Sequence, residues 1–330
     1  MATRFEIVLH GSNPSALRAA GEEALEEIDR IESQLSLYRP GSEVARLNAG
    51  AHERAMRVTP GLFRLLEHAR ELTQETSGAF DLTIAPLVRC WGFMGGTGSM
   101  PEPAAIEEAR AQVGMQHVEL DAAQLTVRFT RPGVMLDFGA IGKGYAVDRA
   151  VELLREAGVT SALIHGGTST AYALGRPPPA SGADVPPAPE LQAGRSQDGG
   201  SRDGCPTSQD GARWKIAVTS PGHDDAKPLT VVELENESLS VSAVWGRSFR
   251  AGEKTYGHII DPRTGAPADG ALLTVVVLPH ATETDALSTA LLTAPELMGE
   301  WASRRPALRC LVASGEGLAP RISTHRLKVL

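Results

Sequence analysis

The sequence predicts a domain of the α/β (α+β) class, and three observations carry that expectation. Strand-like and helix-like segments alternate along most of the 330 residues. Apolar residues make up 42% of the chain, the share from which a globular core is built. The one sharp change in composition, at 176–212, has strand-like segments on both sides, so it predicts an insertion within one domain spanning 1–330.

The elements follow in order from hydrophobic period. Phe5, Ile7 and Leu9 alternate, which predicts a half-buried strand over 2–10. Leu17, Ala20, Leu25, Ile28, Ile31 and Leu35 recur at helical spacing over 14–35, with Asn13 or Ser15 as a cap and Pro14 near the first turn. Pro40-Gly41 breaks the chain, and a short helix follows Ser42. A long helix over 60–77 stops at Ser77-Gly78. Residues 78–93 are apolar without a clear period. A helix at 103–113 precedes strands at 116–120 and 124–129. The run from Val134 reads as a strand that ends in a glycine-rich turn, and a helix then closes at Gly158. Strands follow at 160–164 and 170–175. The Pro, Gly, Ser and Asp of 176–212 cannot bury enough apolar surface to offset ordering entropy, so that stretch reads as a disordered surface insertion. Strands at 213–219, 229–234 and 238–242 read as a continuation of one sheet. A strand at 271–278, helices at 281–292 and 295–304, and a last strand at 307–313 complete the chain.

Composition excludes several classes. The formal net charge of −8 argues against a general nucleic-acid binder, which needs a positive face for phosphates. Cys90, Cys205 and Cys310 are far apart and form no CxxC pair, which argues against a zinc cluster or disulfide framework and for reduced thiols. The amphipathic start lacks the basic and apolar regions of a signal peptide, and no stretch reaches the roughly 20 apolar residues that span a bilayer. The expected location of the chain as written is cytoplasmic, or periplasmic if a leader has been trimmed.

Four segments combine residue types that chemistry can use. Asp137 to Gly144, DFGAIGKG, is a glycine turn entering a helix, where free N–H groups attract phosphate and Lys143 adds charge. It matches neither GxGxxG nor GxxxxGK[ST], so a purely structural turn stays open. His258 precedes the turn Asp261-Pro262-Arg263-Thr264-Gly265; it is a general base if a substrate hydroxyl comes within reach, and otherwise a hydrogen-bonding structural histidine. Asp285 and Thr289 are four apart on one helical face, a pairing that suits a hard cation such as Mg²⁺, or else Asp285 simply favours the helix N-terminus. Gly78-Ala79-Phe80-Asp81 either packs against a flat ring or ends a helix with a core Phe; Tyr38, Trp91 and Trp245 are further candidates for ring stacking.

Taken together, six ordered blocks resemble the ApbE family of flavin transferases, the FAD:protein FMN transferases. They are MATRF, SLYRPGSEVARLN, SGAFDLTIAPLVRCWGF, LDFGAIGKGYAVDRA, HIIDPRTG and TDALSTAL. The resemblance implies one compact domain with mixed sheets and flanking helices around a deep FAD cleft. It implies Mg²⁺-dependent cleavage of the FAD pyrophosphate, transfer of FMN to a Ser or Thr of a target protein, and release of AMP. By matching position, Met1, Tyr38, Ala79, Phe80, Asp81, Asp137, Lys143 and Ile259 would contact FAD. Asp285, Thr289 and the backbone carbonyl of Ala140 would hold the metal, and His258 would be the general base.

The chain departs from the family at Ile164-His165-Gly166-Gly167-Thr168, where relatives usually have Asn-Leu-Gly-Gly-Asp. Two further readings stay open at this level. One is a flavin-binding protein without catalysis, against which Asp285, Thr289 and His258 speak. The other is an enzyme that hydrolyses FAD to FMN and AMP, with water in place of the acceptor hydroxyl.

Overall fold

The structure, a computed structural model, describes residues 3–179, 190–191, 213–219, 228–252, 254–315 and 320–330. Met1, Cys205 and most of the expected insertion lie outside the described residues.

The chain opens with β1 (Phe5–His10), α1 (Pro14–Leu35), α2 (Glu43–Gly50), β2 (Met56–Arg57) and α3 (Pro60–Glu75). A 3-10 turn at Leu82–Ile84 leads into α4 (Ala85–Cys90) and α5 (Pro103–Arg110), and a second lies at Met115–His117. Then come β3 (Val118–Asp121), β4 (Thr126–Phe129), α6 (Gly142–Glu156), β5 (Ser161–Gly166) and β6 (Thr170–Leu174). The short β7 (Glu190–Leu191) is followed by β8 (Trp214–Thr219), β9 (Pro228–Leu234) and β10 (Glu237–Ala243). The last part holds β11 (Ser248–Ala251), β12 (Lys254–Gly257), β13 (Leu273–Leu278), α7 (Ala281–Thr293), α8 (Leu297–Arg304), β14 (Arg309–Ser314) and β15 (Arg321–His325).

The main sheet has the order β1-β5-β6-β10-β13-β14-β15, with every neighbouring pair antiparallel. The mixed character expected of the sheets is confined to the small sheet β7-β8-β9, where β7 runs parallel to β8. Alternation along the central strands sorts side chains between two cores. Val276 and Leu278 face the helices α1, α3, α6 and α7, whereas Leu273, Val275 and Val277 face β8 and β9. All six residues of β13 are therefore buried, which is why it reads as an unbroken apolar run. Each large side chain in it contributes about 1.5–3 kcal/mol by leaving water.

Most expected elements are present, with their caps. Asn13 accepts the Ala16 amide at 3.1 Å, and Ser42 accepts that of Ala45 at 2.9 Å. Ser77 and Gly78 take positive φ and end α3 two residues before the expected bound.

Four expectations are corrected. Strands β8 and β9 do not continue the main sheet, because β10 already has β6 and β13 on its two edges. The turn at Asn236 instead folds β9, which precedes it, over the face of β10 that carries Leu239 and Val241. The run from Val134 is not a strand. The Asn48 side chain takes both backbone groups of Leu136, at 2.8 and 2.9 Å, and Leu82 O takes the Asp137 amide at 2.7 Å. The helix expected to reach 113 ends at Arg110. The strand expected to be last is followed by β15, whose half-exposed edge sequence RISTH carries no apolar run.

The helix layer is built on α7. Eleven of its 13 residues are buried, including Asp285. Its first turn has no cap from its own N-cap residue, His280. Asp148 on α6 supplies one, accepting from the Ala281 and Thr282 amides at 2.8 Å each and from Thr282 Oγ1 at 2.6 Å. Gly144, one turn earlier on α6, faces the Ala281 carbonyl so closely that a Cβ would overlap it. Replacing Gly144 with Ala should therefore push α6 off α7. The expected loss is about 1–3 kcal/mol, read as a lower denaturation midpoint at unchanged slope.

Candidate active site

The buried carboxylate of Asp285, 4% exposed, is the centre of the site. Oδ2 accepts the Gly144 amide at 3.1 Å, and Oδ1 accepts the Thr170 hydroxyl of β6 at 3.4 Å. The Lys143 ammonium lies 3.2 Å from Oδ1 and donates to the Gly139 carbonyl at 3.3 Å. One turn further along α7, Thr289 Oγ1 donates to the Asp285 carbonyl at 3.2 Å and lies 3.3 Å from Ser242 Oγ. The structure thus brings Asp285, Thr289 and Lys143 together, with Ala140 in the turn that precedes Lys143.

Beneath Asp285 runs a seam of hydroxyls that sequence reasoning missed. Ser238 and Ser240 of β10 meet Thr284 Oγ1 at 3.0 and 2.9 Å, and Ser242 meets Ser288 at 2.9 Å. The available signal was ESLSVSA: three serines on alternate residues occupy one face of the strand, and Leu239, Val241 and Ala243 occupy the other.

His258 sits directly after β12. Its backbone N–H and its ring Nδ1 both meet the Arg247 carbonyl, at 3.0 and 3.1 Å. A carbonyl only accepts, so Nδ1 carries the hydrogen and Nε2 keeps its lone pair. Burial, and secondarily the Arg247 charge, lower the pKa of the ring. The ring meets Phe93 edge-on at 6.4 Å, and Phe93 belongs to a cluster with Phe249, Tyr256 and Trp91. Arg247 is itself held by the Phe93 carbonyl at 2.9 Å.

Asp137 is half-buried and accepts the Gly139 amide at 2.8 Å. Burial pushes its carboxyl up, against the pull of that amide and of the Arg247 and Lys143 charges. Arg247 and Lys143 act on both Asp137 and His258, so these four groups share one electrostatic neighbourhood. Arg247, missed from sequence, has no local signal beyond a charge in a turn.

The remaining candidates divide. Ala79 and Phe80 are core residues, and Thr293 Oγ1 donates to the Ala79 carbonyl at 3.2 Å. Asp81 is 8% exposed; its carboxylate accepts from Thr83 N and Oγ1 at 2.8 and 2.6 Å and from Met115 N at 3.1 Å, and burial raises its pKa. Asp81 thus shapes the turn that carries it. Tyr38 is 62% exposed in the loop after α1. Ile259 is half-buried, and its carbonyl accepts the Ala268 amide at 2.8 Å. The turn after it is fastened to α7: Arg263 grips Asp261 through Nε at 3.0 Å and Nη2 at 2.8 Å, and reaches the Thr293 carbonyl at 3.1 Å.

His165 does not face Asp285. It lies opposite Glu6 in the β1–β5 pair, with Nε2 3.3 Å from the Glu6 carboxylate, on the sheet face shared with Leu163.

Among the described residues there is no group of three or more His, Cys, Asp or Glu arranged to hold a metal. The oxygen donors at hand are the Asp285 carboxylate, the hydroxyls of Thr289, Thr170 and Ser242, and backbone carbonyls. That set suits a hard cation which completes its shell with water and substrate phosphate. No helix among the described residues is long and apolar enough to cross a membrane.

The geometry of His258 fixes its titration. It should titrate below 6.5 as the Nδ1–H tautomer, checked by its ring nitrogen shifts in NMR. Because the folded value is the lower one, the unfolded chain takes up this proton first. The contribution of His258 to stability is therefore present above pH 6.5 and is lost as pH falls through the folded pKa.

Comparison with known proteins agrees with this architecture. The ApbE family model matches residues 1–188 and 198–312. The chain is 30% identical over 297 residues to the FAD:protein FMN transferase of Treponema pallidum, covering 88% of this chain and 75% of the relative. It is 26% identical over 309 residues to that of Klebsiella pneumoniae, covering 92% and 78%. The crystal structure of the ApbE protein from Thermotoga maritima superposes with a TM-score of 0.77 at 25% identity, over 98% of this chain and 93% of that one. The apo flavinyl transferase ApbE of Pseudomonas stutzeri shares the fold, with a TM-score of 0.75 at 24% identity over 98% and 95%. With the family model spanning most of its length and the same fold in both solved structures, the chain belongs to the ApbE family.

Proposed function

We propose that this chain is an FAD:protein FMN transferase, with Asp285, Thr289, Lys143 and His258 as the working residues. The relatives named for that activity support the reading. The observation that carries it is a buried carboxylate bearing a lysine, whose charge also acts on a histidine with a lone pair on Nε2.

The acceptor hydroxyl oxygen of a Ser or Thr forms a bond to the FMN phosphorus of FAD. The pyrophosphate P–O bond breaks, and AMP leaves with the electron pair. His258 Nε2 takes the hydroxyl proton, which a ring kept neutral by burial and by Arg247 is suited to do. Little covalent help is needed in phosphoryl transfer, so positioning and charge dominate. Lys143, at the N-terminus of α6, supplies charge to the pyrophosphate. Tyr38 would offer its exposed ring for stacking, and Asp137 and Ile259 would add further contacts to FAD. Ala79, Phe80 and Asp81 serve FAD through the shape and backbone of their turn. Asp285, the Thr289 hydroxyl and the Ala140 carbonyl would hold Mg²⁺, which when bound neutralises pyrophosphate charge.

The test is transfer to a flavinylation acceptor, read by intact mass. Wild type with FAD and Mg²⁺ should add FMN less water, and Asp285→Ala should abolish the gain. His258→Ala should bind FAD as wild type does and transfer roughly 10²–10⁴-fold more slowly. AMP release without any acceptor gain would replace this reading with FAD hydrolysis.

A further inference from the structure

We propose that the Lys143 ammonium and a divalent cation compete for Asp285, so that Lys143 keeps metal affinity low until an anionic ligand draws it away. The inference rests on the metal and FAD site proposed above.

Asp285 cannot turn away from its partners. It is buried, and its two oxygens are held by the Gly144 amide of α6 and the Thr170 hydroxyl of β6. A carboxylate in that position requires a counter-charge, and Lys143 provides it at 3.2 Å. The same ammonium is also bound to the Gly139 carbonyl, one residue before Ala140. It therefore stands between the Asp285 carboxylate and the glycine turn that carries Ala140. Two cations within a few ångströms of one oxygen repel each other, most strongly in a buried setting. A metal ion can occupy Asp285 only at the cost of the Lys143 pair.

The lysine has somewhere to go. Its side chain is 19% exposed, and four flexible carbons carry the charge. The Gly142 and Gly144 amides at the start of α6 are taken by the Phe138 carbonyl and Asp285, so an anion is drawn there by the Lys143 charge and the positive end of the helix dipole. A pyrophosphate there gives Lys143 a second partner and frees Asp285. Metal and dinucleotide then bind with positive coupling that depends on the lysine charge, and the coupling is reciprocal.

The experiment measures Mn²⁺ binding to the full chain by electron paramagnetic resonance, first without any nucleotide. Lys143→Gln should bind Mn²⁺ roughly tenfold more tightly than wild type. Lys143→Arg, which keeps the charge, should bind as weakly as wild type, and Asp285→Asn should lose binding. Lys143→Ala serves in place of the Gln variant should that one fail to fold by circular dichroism. Adding ADP should tighten Mn²⁺ in wild type by a larger factor than in Lys143→Gln. Equal or weaker Mn²⁺ binding by both Lys143→Gln and Lys143→Ala without nucleotide overturns the competition while leaving the metal site intact. Absence of Mn²⁺ binding in every protein, with and without ADP, overturns the metal site itself and the competition with it.

Discussion

The contact between α6 and α7 is the constraint on which the rest of this molecule depends. Gly144 lets the two helices approach until backbone meets backbone at Ala281. Asp148 then caps α7 from across the gap, taking two amides and a hydroxyl that α7 cannot satisfy itself. Asp285 closes the contact by accepting the Gly144 amide. One helix pair thus joins a glycine-rich turn suited to phosphate and a buried carboxylate suited to a cation. Any loosening of the pair would separate the two halves of the site.

The sheet beneath solves a second problem. A helix as buried as α7 leaves no water for its polar residues, so each needs a partner inside the protein. Strand β10 meets that need with Ser238, Ser240 and Ser242 on one face, and still offers Leu239, Val241 and Ala243 to the β8–β9 layer on the other. The hydroxyl seam holds Thr284, Ser288 and Thr289 in place, and through them the position of Asp285.

His258 is set by a different part of the chain. The Arg247 carbonyl fixes its tautomer, and the aromatic cluster of Trp91, Phe93, Phe249 and Tyr256 fixes the hairpin that carries it. Arg263 and Asp261 fasten the following turn to the C-terminal end of α7. The histidine and the carboxylate therefore come from separate segments that are both referred to α7. Arg247 and Lys143 acting on Asp137 and His258 alike makes the site one electrostatic unit.

Much of this was legible in sequence, because local rules act over short separations. The helices α1 and α3 follow from apolar period with Asn13 and Gly78 as punctuation, α2 from the break before Ser42, and Asp285 with Thr289 from a spacing of four. The six family blocks pointed to the family from the order of short motifs. What sequence could not reach depends on which distant segments share a surface. The pairing of β10 with β6 and β13 sent β8 and β9 onto a separate sheet, and Asn48 took the backbone of Leu136 that a strand would have used. Arg247, Asp148 and the three serines of β10 have no local mark of function, since their roles are hydrogen bonds to partners 11 to 154 residues away. Period and capping are properties of neighbours along the chain. The close approach of α6 to α7 and the face that each strand turns inward are decided only when the whole chain packs.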